Sequence, residues 1–227
     1  MQNNSDSALE SRATPVQRRG LARVDALLDA AAEIVEDAGI VGMTTSAIAE
    51  RSESSVGLVY RYFPNADAVL VALAARNRER FMARLSEAFA ADQPAEWTAF
   101  ATLCVDVYAE LSRTVPAFRI VRFGDVVVLR FANRDSTNNV DLARELDDLL
   151  VARYAFAPTD ELLFATQLAM ECADAVTRRA FLHDPDGDER FLRAAKELVV
   201  GIIEPHAGAG AVTTAPADGA PSRGIDP

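Results

Sequence analysis

Apolar residues at three- and four-residue steps set the character of most of this chain. Leu21, Val24, Leu28, Ala31 and Val35 repeat in that way, with Leu27 and Ile34 widening the face. The spacing predicts an amphipathic helix over 21–38. Gly39 stands where a helix end wants a left-handed residue. Thr44 and Ser55 offer N-caps for two short helices, 45–51 and 56–63, and Pro64 ends the second. Further on, long windows rich in Ala, Leu, Arg and Glu lack the residues that break helices. They read as helices over 65–91, 94–114, 117–123, 140–155, 159–182 and 188–203. Pro94 is assigned to a first helical turn, and Asp186 with Glu189 to a variant capping box. The strand-like run Val126-Val127-Val128-Leu129 is too isolated to build a sheet and reads as a short helix or buried turn. The expected fold class is all-α.

The two ends of the chain differ from its middle. Residues 1–20 are polar and basic with Pro15, and are expected to form a flexible arm. Residues 205–227 are rich in Ala, Gly, Pro and Thr, cannot bury enough apolar surface to fold, and are expected to be a disordered tail. The remainder of the 227 residues, half of them apolar in the whole chain, is enough for one or two packed domains. No run approaches 18 uninterrupted apolar residues and residues 1–11 contain no apolar stretch, so neither a membrane span nor a secretory signal is expected. Two cysteines and two histidines make no disulfide framework and no metal-ligand cluster. The expected setting is the reducing cytoplasm, with no cofactor.

A net charge of −11 argues against a nucleic-acid partner until the distribution is considered. Arg12, Arg18, Arg19 and Arg23 form a basic cluster with no acid among them, either a solvated tail or an arm that reaches a DNA groove. A single lysine stands against 22 arginines, a bias that genome composition explains as well as phosphate binding does, so it carries no functional weight.

The informative stretch is 43–65. Two helices of about two turns joined by a polar turn have the layout of a helix-turn-helix, whose second helix enters the major groove. Ile48, Ala49, Val59 and Phe63 fall on the inward faces, whereas Ser55, Val56, Leu58, Arg61 and Tyr62 fall outward. Gly57 removes a side chain near the helix start, which allows close backbone approach to DNA. The run Gly57-Leu58-Val59-Tyr60-Arg61-Tyr62-Phe63-Pro64-Asn65, with Ala38-Gly39, Thr44-Thr45 and Ile48-Ala49, resembles the TetR family of one-component transcriptional regulators over about residues 20–75.

That resemblance implies a helix-turn-helix domain over 21–66 and a helical ligand-binding and dimerisation domain over 67–204. It places Thr45 and Ser46 on a phosphate or a base, Tyr60 on a phosphate, and Ser55, Val56, Gly57 and Leu58 in the groove. Arg61 and Tyr62 would meet backbone or base edges, with Arg18 and Arg19 assisting from the arm. Two positions depart from the family pattern: Glu53 replaces a turn glycine, and Ala66 replaces a phosphate-binding lysine. Loss of that cation removes about one counterion per half-site.

Downstream aromatics at helical spacing are mostly core. The resemblance implies a small-molecule cavity among them, with candidates Trp97, Phe100, Tyr108, Phe123, Phe131 and Phe164 and, from a polar stripe with Gln167, Asp174 and Arg178, Glu171. That stripe is otherwise a solvated edge. The last two helices carry more apolar surface than one core needs, which the family resemblance assigns to a homodimer. The expected function is a ligand-responsive repressor that binds double-stranded DNA at a palindromic operator, with half-sites about 34 Å apart. A helical ligand- or protein-binding scaffold that has lost specific DNA binding is the alternative. An enzyme is not expected, because no nucleophile–base set, phosphate-cradling glycine loop or metal group is present in the sequence. Cys104 and Cys172 read as small core hydrophobes.

Overall fold

A computed structural model describes residues 15–121 and 138–208, most of them helical. The described helices are α1 Pro15–Gly42, α2 Thr45–Arg51, α3 Val56–Tyr62, α4 Ala66–Asp92, α5 Trp97–Thr114, α6 Asn138–Tyr154, α7 Asp160–Ala180 and α8 Glu189–Ile203. A 3₁₀ turn, Glu204–His206, follows. The chain divides into two compact units between Leu73 and Ala74, seven residues later than the sequence suggested. Val69, Leu70 and Leu73 of α4 are buried, so the first two turns of that helix belong to the N-terminal unit.

In the N-terminal unit α2 packs on α1 and on α3. Leu27, Leu28, Ala31, Ile34 and Val35 are buried as the periodicity requires. The helix starts earlier than expected. It begins at Pro15, a residue suited to a first turn, so residues 15–20 are helix rather than arm. Leu21, assigned to the buried stripe, is 62% exposed. Seven-residue helices such as α2 and α3 span only about 10 Å, and cannot cover all of a 28-residue helix. Gly39 has φ +69° as expected, but ψ 177° rather than the left-handed helical value. That region is open to glycine alone, and it kinks α1 one turn before Gly42.

In the C-terminal unit α7 packs on α6 and α8, and α5 on α8. Local signals placed several ends correctly. The Thr159 hydroxyl accepts from the Leu162 N–H, and the Asn65 Oδ1 from the Ala68 N–H at 2.8 Å. Other ends moved. Pro94 precedes α5 rather than opening it, and its carbonyl accepts the Tyr154 hydroxyl at 2.9 Å. The cap of α8 is Asp188, which accepts from the Arg190 N–H at 2.9 Å, in place of Asp186. Residues 116–120 are turns, not the start of a helix over 117–123, and Ala117 has φ +59°. The run 126–129 and the tail beyond 208 lie outside the described residues.

One buried acid tests the packing of this unit. Asp147 on α6 is buried and accepts a hydrogen bond from Thr166 on α7 at 3.3 Å. Burial pushes its carboxyl pKa above the ordinary value, the Thr166 bond partly opposing the shift. The folded state therefore keeps this proton to higher pH than the unfolded chain does. Stability from this group is full below the unfolded pKa of about 4 and falls as pH rises through the raised native value. Asp147→Asn keeps an acceptor for Thr166 and removes the charge. Chemical denaturation should show it more stable than the parent at pH 7, and the gain should vanish near pH 3.

Candidate nucleic-acid interface

The joint between α2 and α3 explains how two such short helices hold a fixed angle. Thr44 Oγ1 accepts from the Ala47 N–H at 3.1 Å and Ser55 Oγ from the Leu58 N–H at 3.2 Å, so each helix begins capped. The end of α2 is a Schellman closure: the Ser54 N–H bonds to the Ala49 carbonyl at 2.8 Å and the Glu53 N–H to that of Glu50 at 3.2 Å. The Ser52 hydroxyl adds a bond to the Ile48 carbonyl at 2.7 Å. Ile48, Ala49, Val59 and Phe63 are buried, as their inward assignment required.

Glu53 occupies the left-handed position of that closure, with φ +51°. A side chain there costs on the order of 1 kcal/mol that glycine avoids. Glu53→Gly should therefore stabilise the N-terminal unit by about 1 kcal/mol, a rise in Tm of several degrees. Thermal melts monitored by circular dichroism check this.

The outer side of α3 is open. Ser55, Val56, Gly57, Tyr60 and Arg61 are exposed, while Leu58 and Tyr62 are half-buried. A Cβ added at Gly57 would meet nothing closer than the Ser55 Oγ at 4.0 Å. The fold itself gives no reason for a glycine here, although glycine weakens a helix by roughly 0.5–1 kcal/mol relative to alanine. Thr45 is half-buried and Ser46 exposed on α2. The Thr45 hydroxyl donates to that of Tyr60 at 3.3 Å, which brings two of the expected phosphate contacts to one point.

Positive charge is sparse on this face. Arg51 is held by Asp37 at 3.1 Å and Glu33 at 3.2 Å, and both carboxylates raise its pKa. It ties α2 to α1. Arg61 is the only cation of α3. Arg18 lies within α1, as do Arg19 and Arg23, both exposed and one turn apart. Asp67 sits in the first turn of α4 beside Ala66, where an acid suits the positive end of the helix.

The C-terminal unit holds a cavity of about 110 Å³ bounded by α5, α6, α7 and α8 and by Phe81 of α4. Of the sequence candidates, Phe100, Tyr108 and Glu171 line it. Trp97 does not: it is buried edge-on against Phe156, with centroids 5.6 Å apart. Phe164 does not line it either and is 64% exposed. Phe123 and Phe131 lie outside the described residues. The polar stripe divides, since Glu171 and Asp174 line the cavity while Gln167 and Arg178 do not. Thr166 and Thr177 also line it and escaped the sequence reading. Their spacing with Ala169, Met170 and Ala173, all on one face of α7, was the available signal.

Comparison with known proteins fits both units. Residues 27–73 match the family described as "Bacterial regulatory proteins, tetR family", and residues 95–207 match "Tetracyclin repressor-like, C-terminal domain". A TetR-family transcriptional regulator from Streptomyces coelicolor is 30% identical, with a TM-score of 0.70 over 81% of this chain and 99% of that one. The fatty acid degradation regulator FadR from Bacillus halodurans shares the fold at 18% identity and TM-score 0.58, covering 82% of this chain and 95% of its own. A variant of TetR from Acinetobacter baumannii, in complex with minocycline, does so at 20% and 0.53, covering 80% and 97%. Curated protein sequences gave no significant match. Among the described residues no helix is long and apolar enough to cross a membrane.

Proposed function

Because this chain belongs to the TetR family of DNA-binding transcriptional regulators, we propose that it is a repressor that binds a palindromic operator as a homodimer and releases it on binding a small molecule. The observation that carries the reading is the outer side of α3. Gly57 leaves room there that the protein does not fill, beside the Thr45–Tyr60 hydroxyl pair and the Arg61 guanidinium. Backbone at Gly57 can approach a sugar-phosphate edge, the Tyr60 hydroxyl, which accepts from Thr45 and keeps its own proton, can donate to a phosphate, and Arg61 can reach a phosphate or a guanine edge.

Support for the dimer comes from α7. Phe164 at 64% exposure and Leu168 at 41% stand one turn apart on its outer side. Much of α8, by contrast, is spent in its own core, with Leu192, Ala195, Val199 and Ile203 buried. A two-fold pair burying the α7 side presents two copies of α3 about one duplex turn apart. Effector in the α5–α8 cavity that prefers a different conformer weakens DNA affinity by its own differential affinity for the two states.

The test is selection of duplexes from a random pool with the purified full chain, followed by fluorescence anisotropy. Enrichment of an inverted repeat, bound by Gly57→Ala about tenfold or more weakly without loss of thermal stability, is expected. Absence of any enriched sequence at moderate salt overturns the specific-binding reading.

A further inference from the structure

The wall of the α5–α8 cavity is carbon over most of its extent, with Phe81, Phe100, Val105, Leu142, Leu146 and Val199 contributing. Tyr108, Thr166, Thr177, Glu171 and Asp174 bring oxygen to it. Each of these side chains is already engaged within the protein. Tyr108 Oη donates to Asp174 Oδ1 at 3.1 Å. Thr166 Oγ1 donates to Asp147 Oδ1 at 3.3 Å, and Thr177 Oγ1 to the Ala173 carbonyl at 2.7 Å. Tyr108, Glu171 and Asp174 each take part in a further interaction inside the chain. The Cys104 thiol is uncharged, since burial pushes its pKa up to about 12, and a thiol is a weak hydrogen-bonding group.

These bonds decide what the space can hold. A charged group of either sign gives up its hydration on entry, and it recovers a partner only by displacing one that the wall oxygens already have. Left unmatched, it loses about tenfold or more in affinity relative to carbon of the same bulk. A hydrocarbon meets no such penalty, because leaving water is favourable in itself and the wall offers carbon for it to touch. Size sets the second limit. An apolar cavity of roughly 150 Å³ admits one benzene ring, and this one is about 110 Å³. The guest is therefore no larger than a single small ring or a chain of similar bulk.

Taking the cavity as the effector site of the preceding section, we propose that its ligand is a small uncharged hydrocarbon of about one ring, held by contact between Phe100 of α5 and Leu146 of α6 while the wall oxygens keep their bonds to the protein.

Three probes built on the same ring test the class: toluene, benzylammonium and benzoate, titrated into the purified full chain by calorimetry at pH 7. Toluene should bind saturably, and at least tenfold more tightly than either ion. Ala169 is buried on α7 and lines the cavity, so Ala169→Leu fills part of the space and should weaken toluene binding at least tenfold. Ala173→Leu, on the same wall, serves in its place if Ala169→Leu does not fold. Either ion binding as tightly as toluene overturns the uncharged assignment, as does the absence of saturable toluene binding. Undiminished toluene affinity in the folded leucine variant puts the guest elsewhere and overturns the proposal as well. The effector reading is measured apart from this, by adding toluene to the complex with the selected duplex. Toluene that binds in the cavity and leaves duplex affinity unchanged overturns the effector reading, while the assignment of the guest as an uncharged hydrocarbon stands.

Discussion

Replacing Arg61 with alanine is expected to weaken operator binding by about thirtyfold or more. α3 carries no other cation, and Arg51, the nearest in sequence, is already bound to Glu33 and Asp37. A good arginine contact contributes about 1–3 kcal/mol, and a symmetric dimer makes it twice, so the loss is roughly 2–6 kcal/mol. The salt dependence shows what the side chain touches. If Arg61 neutralises a phosphate in each half-site, the slope of log K against log salt should flatten by about 1.8 in Arg61→Ala. If it reads a base edge, the slope should stay and discrimination between operator sequences should shrink instead. Anisotropy titrations at several salt concentrations separate the two. Unchanged affinity would remove α3 from the interface.

Ile48→Ala should have the largest effect on stability. Ile48 is fully buried on a seven-residue helix that cannot persist alone, since helices shorter than about 12 residues are marginal in water. Truncation of a buried isoleucine costs about 2–5 kcal/mol. A small unit has little more than that to lose. The N-terminal unit should therefore melt well below the C-terminal one, giving two transitions where the parent gives one or a closely spaced pair. DNA binding should disappear with the first transition, before the C-terminal unit melts. A single unshifted transition would show that α2 is not held in place by Ile48.

What could be read from the sequence was mainly what depends on neighbours along the chain. Thr44 and Ser55 cap helices because each cap joins groups three residues apart. Competition among local signals caused the misplacements. Asp186 and Asp188 both precede α8, and only the packing of the preceding turn chooses between them. Pro94 suits a first helical turn, yet its carbonyl is taken by Tyr154, 60 residues away. The helix-turn-helix face was legible for the same reason as the caps, since two short helices and one turn complete it. The cavity was not, because its wall converges from five helices. Aromatic spacing could not show that Phe164 points outward while Phe100 points in, nor that Thr166 would meet Asp147. Glu53 was visible as an odd residue in a turn. Its strained backbone became meaningful only with the closing bonds of α2.

The setting of the Cys104 thiol has a practical consequence. Cys104 stays protonated at any ordinary pH because the cavity wall desolvates it, and an alkylating reagent attacks the thiolate. In the native protein an adduct on Cys104 should therefore accumulate only as fast as the α5–α8 unit opens. Mass spectrometry of intact protein sampled over time would then act as a stopwatch for that opening.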